Sequence, residues 1–283
     1  MEAIQIVDCP RDAIQGIAHF IPTAKKIAYL NKLLASNLFD CLDFGSFVSP
    51  KAVPQLKDTA EVLAALEKNE KTKLLAIIAN VKGAEIAAGM QGLDYLGYPF
   101  SISESFQQRN TNASIDESFY QLMDIQELLA AAPDKDLVVY ISMAFGNPYG
   151  DFYNPELVLE WMDRIQRLGV KRFSIADTTA EANPAAIFSL FSAVKAQFPN
   201  LALSIHLHSA VPDAYAKVEA AYAAGCRTFE GALLGYGGCP FAQDELVGNI
   251  PTEMLLARYK QQEQAAYQDL LLAFQELISN DKL

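Results

Sequence analysis

The sequence predicts an α/β protein, a (β/α)₈ or TIM barrel with an extra helical segment at its C-terminus. Three observations predict it. Short apolar runs alternate with helical stretches eight times over about 250 residues. No long Pro/Gly/Ser linker, composition shift or internal repeat divides the chain. Polar, chemistry-bearing residues gather at the C-terminal ends of the apolar runs, where barrels of this kind carry their active sites.

The first strand is expected over 3–7 and ends in Asp8-Cys9-Pro10-Arg11-Asp12. A helical pattern then opens at Pro22-Thr23 and carries Ile27, Leu30, Leu33 and Leu34 at helical spacing. Strand two covers 39–44 and runs out into Gly45-Ser46-Phe47-Val48-Ser49-Pro50. A helix over 58–66 leads to strand three, 73–79, which ends at Asn80. A short helix over 83–90 precedes strand four, 93–100. Ser114 with Glu117 three residues on is a capping box that starts a helix running to 131. Strand five is 137–143. Pro155 stands at the start of a helix ending at 168, before strand six, 171–176. Pro184 likewise opens a helix to 198. Strand seven, 201–207, is followed by a helix over 212–224 that Gly225 ends, and strand eight is 226–232. The domain is expected to span 1–283, with the barrel at about 3–250 and C-terminal helices at about 252–280 that pack outside the barrel or on a neighbouring subunit.

The composition excludes several classes. With 51% hydrophobic residues, 283 residues can bury a sizeable core. A formal charge of −12 argues against nucleic acid or an anionic membrane as the main partner. No run has the apolar length of a membrane span, and the N-terminus lacks a secretory pattern. The four cysteines, Cys9, Cys41, Cys226 and Cys239, form no C-x-x-C motif and read as free thiols of a cytoplasmic protein.

Two of the three histidines, His206 and His208, stand two apart at the end of strand seven. Strand positions two apart share a face, so both imidazoles project together, as a metal site requires. The other ligands must come from elsewhere. Arg11 and Asp12 follow strand one, Asp43 lies near the end of strand two, Asn80 ends strand three and Asp177 closes strand six. A glycine-rich loop, Gly235-Tyr236-Gly237-Gly238-Cys239-Pro240, follows strand eight and leads to Gly248-Asn249. Asp12, His206, His208 and the Asn249 amide oxygen make a donor set for a hard divalent cation with open positions. Singly, each has a bland reading: Asp12 and Asn249 as helix caps, Asp177 as a turn residue, Cys239 as an inert small hydrophobe. Cys239, between Gly-Gly and Pro, is a candidate general acid or base.

These residues resemble the hydroxymethylglutaryl-CoA lyases, metal-dependent members of the DRE-TIM metallolyase group. The matching pieces run over almost the whole barrel. They include Pro10-Arg11-Asp12 with Gln15, Gly45-Ser46-Phe47-Val48-Ser49-Pro50-Lys51, Asn80 with Lys82-Gly83, and Ser103-Glu104-Ser105-Phe106 with Asn110. Asn147-Pro148-Tyr149, Asp177-Thr178, His206-x-His208, Gly237-Gly238-Cys239-Pro240 and Gly248-Asn249 complete the set. The resemblance implies cleavage of 3-hydroxy-3-methylglutaryl-CoA to acetyl-CoA and acetoacetate, as in leucine breakdown. It implies Asp12, His206, His208 and Asn249 as ligands to Mg²⁺ or Mn²⁺, Arg11 stabilising an enolate and Cys239 donating a proton. Asp43 and Asp177 are expected as further catalytic carboxylates around an acyl-CoA substrate that Gln15 and Asn80 help to bind, and the assembly is expected to be a homo-oligomer, a dimer. The chain departs from the family pattern at Ala13 for glycine, Asp43 for glutamate, Asn147 for cysteine, Ser209 for aspartate, and in a longer stretch from Cys239 to Asn249. Those changes touch the substrate pocket. They leave open a related lyase or aldolase acting on another 3-hydroxy acid or hydroxyacyl-CoA. A non-catalytic metal-binding barrel is the remaining alternative.

Overall fold

The computed structural model describes residues 3–238 and 248–279. The order is β1 (Gln5–Asp8), α1 (Pro10–Gln15), α2 (Thr23–Ser36), β2 (Cys41–Ser46), α3 (Thr59–Ala64), β3 (Lys73–Ile77), α4 (Val81–Ala88) and β4 (Tyr95–Ser101). Then come α5 (Glu104–Thr111), α6 (Ile115–Leu129), β5 (Asp136–Ser142), α7 (Pro155–Gln166), β6 (Arg172–Asp177), α8 (Pro184–Gln197), β7 (Ala202–Leu207), α9 (Val211–Ala223) and β8 (Thr228–Gly231). Two helices, α10 (Thr252–Tyr259) and α11 (Gln264–Ile278), finish the described chain. The strands close in chain order into a parallel barrel, β1 pairing with both β2 and β8. Each expected strand is present, within a few residues of its expected bounds.

Strand alternation sorts the core into two layers. Ile6, Leu42, Leu74, Leu96, Val139, Ile175, Ile205 and Phe229 point outward and pack against the helices. Val7, Cys9, Cys41, Leu75, Val138 and Tyr140 fill the barrel interior. Gly97 makes the interior possible at its widest side chain: a Cβ there would come within 3.0 Å of the Tyr140 ring and 2.6 Å of Ile77. A register shift between Asp43 and Gly45 acts as a bulge in β2. Before it Cys41 and Asp43 face inward; after it Ser46 and Val48 line the barrel mouth.

The helices start where the sequence signals them. Ser114 accepts from the Glu117 N–H, and the Glu117 carboxylate accepts from the Ser114 N–H. Asn154 and Asn183 cap α7 and α8, each followed by proline. Two helices were not anticipated, α1 and α5. Both are short, and α1 begins at Pro10, which reads equally well as the end of a strand. The C-terminal pair closes one flank: α11 lies on α2, with Tyr29 and Phe274 rings 5.7 Å apart, and α10 packs against β1 and β8. Among the described residues, no helix is long and apolar enough to cross a membrane.

Candidate active site

A cavity of about 360 Å³ opens at the C-terminal ends of the strands. Arg11, Asp12, Gln15, Asn80, His206 and His208 line it, with Tyr140 on its floor and Phe106, Arg109 and Asn110 of α5 at its wall. The helix missed in the sequence, α1, carries Arg11, Asp12 and Gln15 into the mouth together. Phe106 stacks on Tyr149, and Arg109 lies over the same ring at 4.7 Å, which joins α5 to the loop after β5.

Arg11 is the hub of the acidic side. Its Nε donates to both Asp43 carboxylate oxygens at 3.2 and 3.0 Å, and Nη2 donates to Asp43 at 2.5 Å. Nη1 donates to Asp12 at 3.2 Å and to the Gln15 amide oxygen at 2.9 Å. Burial opposes the guanidinium charge, but Asp43 and Asp12 outweigh it and push its pKa up. Burial raises the Asp43 pKa to about 6 even against Arg11. Asp12 goes the other way: burial works against its charge, and Arg11, His208 and His206 more than offset it, so its pKa falls.

The two imidazoles are 4.9 Å apart between ring centroids. Ligand atoms of Asp12, His206 and His208 all lie within 4.8 Å of one another, close enough for one ion. His208 Nδ1 lies 2.8 Å from the Gly248 carbonyl, which accepts only, so Nδ1 carries the proton and Nε2 keeps its lone pair. Burial, then the neighbouring His206, lower the His208 pKa to about 4, so the ring is neutral. The fully buried Asn249 donates from Nδ2 to Asp12 at 2.7 Å and to the Tyr236 carbonyl at 3.0 Å. Its Oδ1 is buried without a partner among the described residues. An orphaned amide oxygen beside a carboxylate and two imidazole lone pairs fits a hard cation.

The structure does not bring every expected residue to the cavity. Asp177 is turned away from it. Ala176 and Thr178 line the cavity, so the residue between them points outward, where Asp177 meets Lys217 of α9 at 3.2 Å and accepts from the Ala182 N–H at 3.1 Å. The turn-residue reading of Asp177 is the one its geometry supports. Asn80 has both roles: it caps α4 by accepting from Gly83 N–H at 2.9 Å, and it lines the mouth. Cys239 lies outside the described residues. The described stem of its loop is held tightly: Gly248 donates to the Gly237 carbonyl at 3.1 Å. Gly237 has φ 103°, and a Cβ on it would meet Ala13 Cα at 2.7 Å.

Two interior groups were missed in the sequence. Tyr140 presents a buried hydroxyl with no described partner, and Glu230 of β8 lies 3.2 Å from His206 Nδ1. A lone acid in the short run Thr228–Gly231 was the available signal for Glu230, but its partner is visible only once β7 and β8 are in register.

A closed parallel barrel with this cluster at its mouth defines a TIM barrel with a candidate metal centre. The HMGL-like family model matches residues 3–282. The chain is 34% identical to hydroxymethylglutaryl-CoA lyase of Pseudomonas mevalonii over 259 residues, 90% of this chain and 84% of that protein. It is also 34% identical to the 3-hydroxy-3-isohexenylglutaryl-CoA/hydroxy-methylglutaryl-CoA lyase of Pseudomonas aeruginosa, over 87% of this chain and 81% of that protein. Among solved structures it is similar, with a TM-score of 0.90 and 28% identity, to an HMG-CoA lyase from Acinetobacter baumannii in complex with coenzyme A and 3-methylmalate. That match covers 99% of this chain and 97% of the other. The chain belongs to the HMGL-like family, that of the hydroxymethylglutaryl-CoA lyases. The family is divalent-metal dependent.

Proposed function

We propose that this protein cleaves 3-hydroxy-3-methylglutaryl-CoA to acetyl-CoA and acetoacetate, with Mg²⁺ or Mn²⁺ held by Asp12, His206, His208 and Asn249. The orphaned Asn249 Oδ1 carries the reading, because a buried amide oxygen left unpaired is costly and a cation at this point satisfies it. When bound, the cation supplies Lewis-acid polarisation of a substrate hydroxyl and carbonyl oxygen. The residues of the chain do the rest. A carboxylate of the site takes the tertiary hydroxyl proton. The C2–C3 bond breaks, leaving the ketone of acetoacetate and a thioester enolate. Arg11 has one Nη2 hydrogen beyond its described bonds, and it faces the enolate oxygen in a buried, charge-concentrating setting. The Tyr140 hydroxyl adds a neutral donor, kept protonated by burial and then by Glu230 and Asp43. Cys239 then gives its thiol proton to the enolate carbon, and the thiolate is reprotonated for the next turnover.

A second reading has one specific support. The cavity has an apolar side, Val48, Ala52, Val53, Ile77 and Pro99, and the P. aeruginosa relative is named for a substrate with a larger C3 substituent as well. A lyase accepting longer 3-substituents fits that wall. A coupled assay for acetyl-CoA and acetoacetate, run with and without chelator over a panel of 3-substituted hydroxyglutaryl-CoA thioesters, tests both. Chelator-sensitive turnover of the 3-methyl substrate is expected. Turnover of a longer thioester alone shifts the assignment to the second reading, and no turnover of any thioester with Mg²⁺ or Mn²⁺ sinks both.

A further inference from the structure

Beneath the proposed metal ligands the barrel interior holds a polar layer around Glu230, which the mechanism uses only for its charge near Tyr140. Glu230 is 3% exposed and stands beside His206, its register partner across β7 and β8. Its Oε1 accepts from Ser174 Oγ at 2.6 Å and from Ser204 Oγ at 2.7 Å. Those serines are themselves paired in register on β6 and β7, one inward position below Ala176 and His206. Oε2 is left for His206 Nδ1 at 3.2 Å. A carboxylate whose other oxygen is pinned by two hydroxyls cannot swing away.

We infer that Glu230, fixed by Ser174 and Ser204, is the positioning residue that sets the His206 tautomer and aims its Nε2 lone pair at the metal site. The inference rests on the metal reading above. An anion can only accept, so Nδ1 must carry the hydrogen and Nε2 the lone pair. A metal-bound imidazole backed by a carboxylate is also the more basic ligand. The two imidazoles are thus held differently: His208 by the neutral Gly248 carbonyl, His206 by a buried charge. Glu230 is not called on as a ligand, although its carboxylate, Cys9 and His206 also lie within reach of one another.

Glu230→Gln keeps the shape and the two serine donors. The amide then turns its oxygen to the serines and its N–H to Nδ1, which moves the ring proton to Nε2. Mn²⁺ titration followed by calorimetry is expected to show one ion per wild-type chain and a dissociation constant roughly 10–100-fold weaker in the variant. Imidazole ¹⁵N spectra of the metal-free protein at alkaline pH are expected to show Nδ1–H for His206 in the wild type and Nε2–H in Glu230→Gln. A purely structural Glu230 lowers the melting temperature and moves neither readout. Ser204→Ala, which removes a single donor, covers the case in which the glutamine variant does not fold, and should weaken Mn²⁺ binding several-fold. Equal Mn²⁺ affinity in the folded variants, or an unchanged tautomer, overturns the inference. Two ions per wild-type chain falling to one also overturns it, in favour of direct ligation. A wild type that binds no Mn²⁺ sinks the metal reading itself, while the tautomer swap still reports on Glu230.

Discussion

Four aspartates at the top of the barrel, Asp12 and Asp43 on one side and Asp8 and Asp177 on the other, are all almost free of solvent contact. They end in opposite places. Asp12 and Asp43 face the axis and share Arg11, and Asp12 stands beside the imidazoles. Asp8 and Asp177 end β1 and β6 facing outward, where they tie helices to the barrel: Asp8 accepts from Thr252 of α10 at 2.6 Å, Asp177 from Lys217 of α9. Burial alone therefore does not mark a working carboxylate. What separates the pairs is which face of the strand each leaves, and the charge each meets there.

The inward side should break first. Asp12→Ala removes a proposed ligand and the acceptor of the Asn249, Gln15 and Arg11 bonds. The bound metal should be lost. With several kcal/mol of charge stabilisation gone, turnover should fall by roughly 10³-fold or more. Full metal content by elemental analysis in this variant would place the cation elsewhere. Arg11→Lys is expected to be milder and more selective. Lysine keeps a charge but cannot reach Asp43, Asp12 and an oxyanion at once, so kcat should fall roughly 10²–10³-fold with the metal retained. A near-normal kcat removes Arg11 from the chemistry.

The outward side should break differently. Asp177→Ala leaves Lys217 buried without its carboxylate, though still bonded to the His208 carbonyl. Stability should drop by roughly 3–5 kcal/mol, the usual cost of orphaning one half of a buried pair. The kcat of the folded fraction should stay within a few-fold of wild type. A collapse of kcat without a change in melting temperature would return Asp177 to the substrate.

This contrast also explains how far the sequence could be read. Alternation of apolar runs and helical stretches is a long, repeated signal, so the barrel and the end that bears the site were legible. His206 and His208 were legible as a pair because parity within one strand is a local property. Asp177 was not, because the last residues of a strand can leave by either face, and Ala176 and Thr178 took the inner one. Helix α1 hid behind Cys9-Pro10, which ends a strand as readily as it starts a helix. Glu230 and Tyr140 were invisible for another reason. A single polar residue in a short apolar run gains its meaning from the neighbouring strand, and register is a property of the closed barrel.

The smallest effect on turnover belongs to Asp8, whose expected change is in stability and is a matter of pH. Thr252 supplies one hydrogen bond, and the second carboxylate oxygen is buried without a described partner. Burial, partly offset by Thr252, raises the Asp8 pKa from 3.8 to about 7. Between those values the folded protein holds a proton that the unfolded chain has released. The stability carried by the protonated form is therefore complete below about pH 4 and is lost as pH rises through about 7. Asp8→Asn is neutral at every pH, so its stability should not follow that slope. Its buried amide N–H adds an offset that does not vary with pH, and the slope is the quantity to read. Melting temperatures of both proteins from pH 4 to 8 should show the variant gaining on the wild type across the window. The gain corresponds to about 4 kcal/mol at its upper end, because each unit of pKa shift is worth about 1.4 kcal/mol. The kcat should be unchanged, since Asp8 faces α10 and not the cavity. A difference in melting temperature that is flat with pH would mean that Asp8 is ionised and paired. A lost kcat would put an outward aspartate into the chemistry and dissolve the contrast between the two pairs.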